Sequence, residues 1–228
     1  MTNVNIAGAP FRDARRVQES VLAGPEKRIL TAMARRLPRR VNADHLTGVG
    51  FAAMILAGVS YASASVWPPA LLVVNAWLVV NWLGDSLDGT VARVRGQLRP
   101  RYGYYVDHMI DAASAVFLFG GMAFSGYISP AVAVAMLLGY LLLAIQSYLA
   151  AHSLGVFSIS WWKFGPTEMR ILLGVGNTVA FFRPVTTIFG PEMLFFDIAG
   201  AIAAAAMATV LAVTVGRNTR ELYQAERV

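Results

Sequence analysis

The chain has 228 residues, 57% of them hydrophobic and 14% charged, with a net charge of +6 and no cysteine. Lack of cysteine excludes disulfides and thiolate metal sites. Length and a mean hydropathy of +0.55 fit one membrane domain of about six helices at about 20 residues per span.

A sequence pI of about 10.0 raises nucleic acid as a partner. The basic residues flank apolar spans, however, so attraction to anionic membrane lipids is the better reading and no nucleic-acid partner is expected. Residues 1–24 are polar, and residues 1–20 contain no apolar stretch of the signal-peptide kind, so insertion is expected to rely on the first span. Residues 25–42 follow. There Lys27, Arg28, Arg35, Arg36, Arg39 and Arg40 alternate with Ile29, Leu30, Met33 and Leu37 at steps of three and four. This spacing predicts an amphipathic helix lying in the membrane interface; the plainer alternative is a positively charged flank without a separate role.

The expected fold is an all-α integral membrane protein with six transmembrane helices. The spans cover residues 45–64, 68–92, 104–124, 130–151, 167–182 and 193–215, within a membrane domain of residues 43–216 and ahead of a tail of residues 217–228. Pro38, Pro100, Pro130, Pro166, Pro184 and Pro191 mark the breaks. Six Lys/Arg precede the first span, Arg93, Arg95, Arg99 and Arg101 fill the second connection, Lys163 lies in the fourth, and Arg217, Arg220 and Arg227 lie in the tail. By the positive-inside bias both termini face the cytoplasm, in the inner or plasma membrane if the source is bacterial. Asn75 and Gln146 read as interhelical hydrogen bonders and Asp197 as structural. Trp67, Trp77, Trp82, Trp161 and Trp162 read mostly as interfacial anchors.

The informative stretch is residues 84–111, GDSLDGTVARVRGQLRPRYGYYVDHMID. Charged groups among apolar spans cost about 2.5–3.5 kcal/mol each on insertion scales and usually face a protein cavity. Asp85 and Asp88 are three apart and Asp107 and Asp111 four apart, so each pair shares a helix face. Gly89, Ala92 and Gly103 interleave as small residues that let a helix or a ligand approach. Four carboxylates aimed at one spot repel, and divalent cations relieve this. An all-oxygen donor set suits Mg²⁺, Mn²⁺ or Ca²⁺, and two bridged ions would form a clamp for phosphoryl chemistry. The competing reading pairs these aspartates with Arg93, Arg95, Arg99 and Arg101 or makes them helix caps.

Asp85-x-x-Asp88-Gly89-x-x-Ala92-Arg93, nine residues, then Gly103-x-x-x-Asp107-x-x-x-Asp111 resembles the signature of the CDP-alcohol phosphotransferase family. The resemblance implies a phospholipid-synthesis transferase, dependent on Mg²⁺ or Mn²⁺ with two ions expected, that releases CMP from a CDP-linked donor and is a homodimer. Asp85, Asp88 and Asp107 would be metal ligands, and Asp111 would complete the second site or take the proton. Gly89, Ala92 and Gly103 would admit the nucleotide, Arg93 would pair with phosphate or base, and Thr47 would line the pocket. Where such proteins often enter the first span through Pro-Asn, Ala43-Asp44 stands here. Asp107-His108 and Pro166-Thr167-Glu168 resemble the choline/ethanolamine phosphotransferase branch, in which His108 oriented by Glu168 would be the base. These motifs favour transfer from a CDP-aminoalcohol to diacylglycerol over phosphatidyl transfer from CDP-diacylglycerol to a small alcohol. The plainer readings make His108 a bystander and Glu168 a helix N-terminal acid. Outside this class, a cation transporter or a non-catalytic membrane scaffold would also retain intramembrane acids.

Overall fold

The computed structural model describes residues 15–17, 23–158, 165–187, 190 and 192–227. Most of the polar segment 1–24, Trp161, Trp162, Lys163 and Pro191 lie outside the described residues. Among the described residues seven helices run in chain order: α1 (Ala23–Arg36), α2 (Ala43–Ser63), α3 (Ala70–Val94), α4 (Pro100–Ala123), α5 (Pro130–Ser153), α6 (Pro166–Phe182) and α7 (Phe195–Ala225). Among the described residues α2, α3, α5 and α7 are long and apolar enough to cross a membrane. Asp107, His108 and Asp111 lower the apolar character of α4, and α6 has 17 residues, about 25 Å at 1.5 Å per residue.

Several helix ends have an identifiable cause. α1 stops at Arg36, short of the expected residue 42, because Pro38 disfavours helical geometry at the residue before it. α2 is capped by Asn42, whose Oδ1 accepts the His45 N–H at 2.9 Å. Pro at the first turn opens α4, α5 and α6. The N-terminus of α5 is closed by Asp197, which accepts from Ser129 N at 2.5 Å and Ser129 Oγ at 2.6 Å. This is the structural role expected of it. α7 continues to Ala225, so the expected tail is largely helical, and at 31 residues it is about 46 Å long, more than a hydrocarbon core of about 30 Å.

Two short ladders were not anticipated: β1 (Arg15–Val17) runs parallel to β2 (Val156–Ser158), and β3 (Val185–Thr187) pairs antiparallel with β4 (Glu192–Leu194).

α2 is the centre of the bundle, packed against both α3 and α4. Glycines make this possible. A Cβ on Gly84 would sit 2.7 Å from Gly50 N, and one on Gly121 would sit 2.1 Å from Gly58 O, so the backbones touch at both crossings. The core around Tyr61, Leu71, Val74 and Met122 is sealed from the α7 side by Phe196. A second, smaller core joins Leu30 and Ala34 of α1 to Leu87 and Val91 of α3. That contact lays α1 across the end of α3 that carries the aspartates.

A polar network also crosses the interior. Tyr61 OH donates to Asn177 Oδ1 at 2.6 Å, Asn177 Nδ2 to Asn75 Oδ1 at 2.8 Å, and Asn75 Nδ2 to Gly174 O at 3.1 Å and Thr178 Oγ1 at 3.2 Å. Asn75 is thus the interhelical hydrogen bonder its position suggests. Gln146 is buried, and its Oε1 has no partner among the described residues.

Candidate metal centre

Asp85 from α3 and Asp107 and Asp111 from α4 each bring one carboxylate oxygen to a common point, all three within 4.8 Å of one another. The i, i+4 spacing stacks the α4 pair on one face. The close approach of α3 and α4 to the same helix, α2, turns that face toward Asp85. Thr47, Gly50 and Phe51 of α2, Asn81, Asp85 and Asp88 of α3, and Asp107, Ile110, Asp111 and Ser114 of α4 line one cleft of about 260 Å³, part of it open to solvent.

Asp88 stands on this wall but outside the trio. Thr47 Oγ1 donates to its Oδ2 at 2.6 Å, and the Gly89 N–H donates to its Oδ1. Thr47 lines the cleft and fixes an aspartate there. Arg93 hydrogen-bonds Thr90 Oγ1 at 3.2 Å, and its guanidinium lies beside Gly89. Of the small residues, Gly103 would place a Cβ with no atom within 4 Å, and at Gly89 the nearest are the Arg93 nitrogens at 3.9 Å. Neither glycine is a helix-crossing residue. Their faces are the open side of α3 and α4. Ala92 is half-buried on the same helix as Gly89.

Two of the four arginines of the competing reading, Arg95 and Arg99, bond groups other than these aspartates. Arg95 donates to the carbonyls of Leu37, Pro38 and Val41, and Arg99 pairs with Asp44. Arg95 thus holds the α1–α2 connection and Arg99 the first turn of α2. The partner of Asp85 is Arg170 of α6, with Nη2 at 2.6 Å from Asp85 Oδ2 and Nε at 2.9 Å from Asn81 Oδ1. Asn81 in turn donates to Gly50 O at 3.1 Å. Sequence reasoning missed Arg170 because 85 residues separate it from Asp85. An arginine one turn inside an apolar helix was itself the available signal, since such a group needs an acidic partner.

His108 sits behind the cleft rather than on its wall. Its ring stacks on Tyr104 at 4.1 Å between centroids, faces Tyr148 at 4.6 Å, and holds Nδ1 3.6 Å from Asp107 Oδ2. Glu168 Oε2 accepts the Gly165 N–H at 2.9 Å, which caps its own helix. Glu26 of α1 was also missed. Its Oε1 accepts from Trp82 Nε1 at 2.7 Å, Ser86 Oγ at 3.3 Å and Thr167 Oγ1 at 3.1 Å, joining α1, α3 and α6 beside the site. Trp82 is thereby a partner of α1 rather than a free interfacial anchor.

The donor chemistry fits a hard divalent cation. Carboxylate oxygens within 4.8 Å of one another repel by about 3–4 kcal/mol per pair or more at an effective dielectric near 20, and Arg170 pairs with Asp85. An octahedral ion with bonds of about 2.1 Å accepts oxygens up to about 4.2 Å apart, a contraction within rotamer reach. A separate observation points into the same cleft. Ser114 is 5% exposed, and its Oγ has no hydrogen-bond partner among the described residues. A buried hydroxyl with no acceptor costs about 1–3 kcal/mol, so a polar ligand belongs beside it.

No family model and no curated protein matches this chain. The functional reading therefore rests on the geometry and on the motif.

Proposed function

We propose that the protein is a divalent-metal-dependent membrane transferase that moves a phosphoalcohol group from a CDP-linked donor to a hydroxyl acceptor and releases CMP. The observation that carries this reading is the convergence of Asp85, Asp107 and Asp111 from two helices on one cleft, in the motif that resembles the CDP-alcohol phosphotransferases. The cleft is expected to open to the cytoplasm, with α4 and α6 as two further spans beside the four apolar ones. The acids of α4 then belong to the site rather than to the lipid boundary, and the six-span layout with basic connections on one side follows.

Asp85, Asp107 and Asp111 would hold the cation, with Asp88 poised by Thr47 to complete a second position. When bound, divalent ions neutralise a diphosphate and polarise the bond to its leaving group. The open faces of Gly89 and Gly103 admit the nucleotide, and Arg93, beside Gly89, offers a guanidinium fork to its phosphate oxygens. Ser114 Oγ donates into the cleft. The acceptor oxygen attacks the β-phosphorus, the bond from that phosphorus to the CMP oxygen breaks, and the hydroxyl proton goes to a base. Asp111 lines the cleft and serves as that base. A carboxylate shared with a cation is a weak one, which keeps His108 in play as the competing candidate through its contact with Asp107. His108→Ala with full activity at pH 7 would dispose of the histidine.

The Asp-His and Pro-Thr-Glu motifs favour a CDP-aminoalcohol donor and diacylglycerol acceptor; phosphatidyl transfer from CDP-diacylglycerol is the alternative. Purified protein offered a panel of CDP-alcohols and CDP-diacylglycerol with hydroxyl acceptors should release CMP only with Mg²⁺ or Mn²⁺, and the mass of the lipid product names the pair. Cation flux in vesicles without CMP release would instead favour a transporter.

A further inference from the structure

The contact least explained by the proposed reaction is that of Arg170. Its Nη2 lies 2.6 Å from Asp85 Oδ2, so the guanidinium already holds one oxygen of a carboxylate that belongs to the trio. Its other anchor, Asn81 Oδ1, is fixed to the backbone of α2. The side chain is partly exposed, at 19%, and Asp85 at 29%. It is a tethered cation at the rim of the cleft, bound on one edge by a neutral amide and on the other by a carboxylate that a metal ion would also use.

We propose that Arg170 is a displaceable counter-ion, exchanged at Asp85 for the divalent cation and then handed to an anionic oxygen of the phosphate ligand. This rests on the reading of the trio as a metal site. Two cations held by one carboxylate repel each other, so cation entry loosens the Asp85–Arg170 pair. The amide of Asn81 keeps the freed guanidinium at the cleft, where a planar fork matches phosphate oxygens. Metal alone therefore binds against Arg170, and metal with a phosphate ligand binds with its help. By linkage the two ligands strengthen each other by the same factor. The exchange couples loading of the site to α6, whose first turn is also held by Glu26 of α1 through Thr167.

Mn²⁺ binding to the purified full chain, read by electron paramagnetic resonance with and without CMP, tests this without turnover. The wild type should bind Mn²⁺ at least tenfold more tightly when CMP is present. Arg170→Met should bind Mn²⁺ alone about tenfold more tightly than the wild type and lose most of the CMP enhancement. Arg170→Lys, which keeps the charge without the fork, should stay near the wild type for Mn²⁺ alone and lose part of the enhancement; it serves as the readout if the methionine variant does not fold. Arg170→Met or Arg170→Lys binding Mn²⁺ more weakly than the wild type would show that Arg170 merely positions Asp85, and an unchanged CMP enhancement would be equally fatal. A wild type that binds Mn²⁺ whose variants behave like it overturns only this inference. A wild type that binds no Mn²⁺ with or without CMP overturns the metal reading as well.

Discussion

Two polar clusters lie inside this apolar bundle, and they are built on opposite terms. The network of Tyr61, Asn75 and Asn177 is neutral and closed: Tyr61 is 1% and Asn177 0% exposed, and the groups bond one another and α6. The cleft of Asp85, Asp107 and Asp111 is charged and open, with Arg170 paired to Asp85 and a buried Ser114 hydroxyl that has no hydrogen-bond partner among the described residues. A closed network holds helices together and has no use for a ligand. An open one leaves charge and hydrogen-bonding capacity for something else to meet. Both tie α6 to α3, so the same helix is fixed at one level and poised at the other.

The sharpest way to break the comparison is to neutralise the open cluster. Asp107→Asn should reduce CMP release on the order of 10³-fold, by removal of one group that holds charge at the reacting centre. Helicity and thermal stability should hold or rise, because a repulsive carboxylate has gone. Circular dichroism beside the activity assay separates the two.

The mirror experiment opens the closed cluster. Asn177→Leu strands Tyr61 OH and Asn75 Oδ1 in the interior, each costing about 1–3 kcal/mol. Melting in detergent should shift down strongly, while the folded fraction retains Mn²⁺ binding. Loss of metal affinity in that fraction would show that the two clusters are not separable.

A smaller effect is expected at the open glycine face. Gly103→Leu adds a side chain where nothing lies within 4 Å, so folding should be unchanged. The KM for the CDP donor should rise about tenfold, equivalent to ~1.4 kcal/mol of binding. An unchanged KM would take the nucleotide away from this face. The smallest change is expected at Glu26. Glu26→Gln keeps an acceptor for Trp82 and Thr167, so activity should fall less than about threefold, and the melting temperature should drop by a few degrees, since a hydrogen bond to a charged group is worth about 1.5–3 kcal/mol and a neutral one about 1. A large activity loss would give α1 a direct part in the site.

The contrast also explains what could be read from the residues. Local spacing carries the helix boundaries and the pairing of Asp107 with Asp111, because prolines and i, i+4 repeats act within one helix. Thr47 was legible only through the family resemblance, and its actual work is to hold Asp88, 41 positions away. Asn42 caps α2, and Asp44 pairs with Arg99. Arg170, Asn81, Glu26 and Ser114 were missed. Their roles come from which helices cross, and the crossings of α2 with α3 and α4 run through the Gly50–Gly84 and Gly58–Gly121 contacts, glycines that carry no spacing signature of their own. Arg93, Arg95, Arg99 and Arg101 stood nearer in sequence to the aspartates, yet α6 supplies the cation that meets Asp85.

The most direct test is to locate the ion. A crystal of the protein grown with Mn²⁺ and measured at the manganese edge should show an anomalous peak between α3 and α4, in contact with oxygens of Asp85, Asp107 and Asp111. A peak elsewhere, or none while Arg170 keeps its grip on Asp85, would contradict the metal centre and the transferase with it.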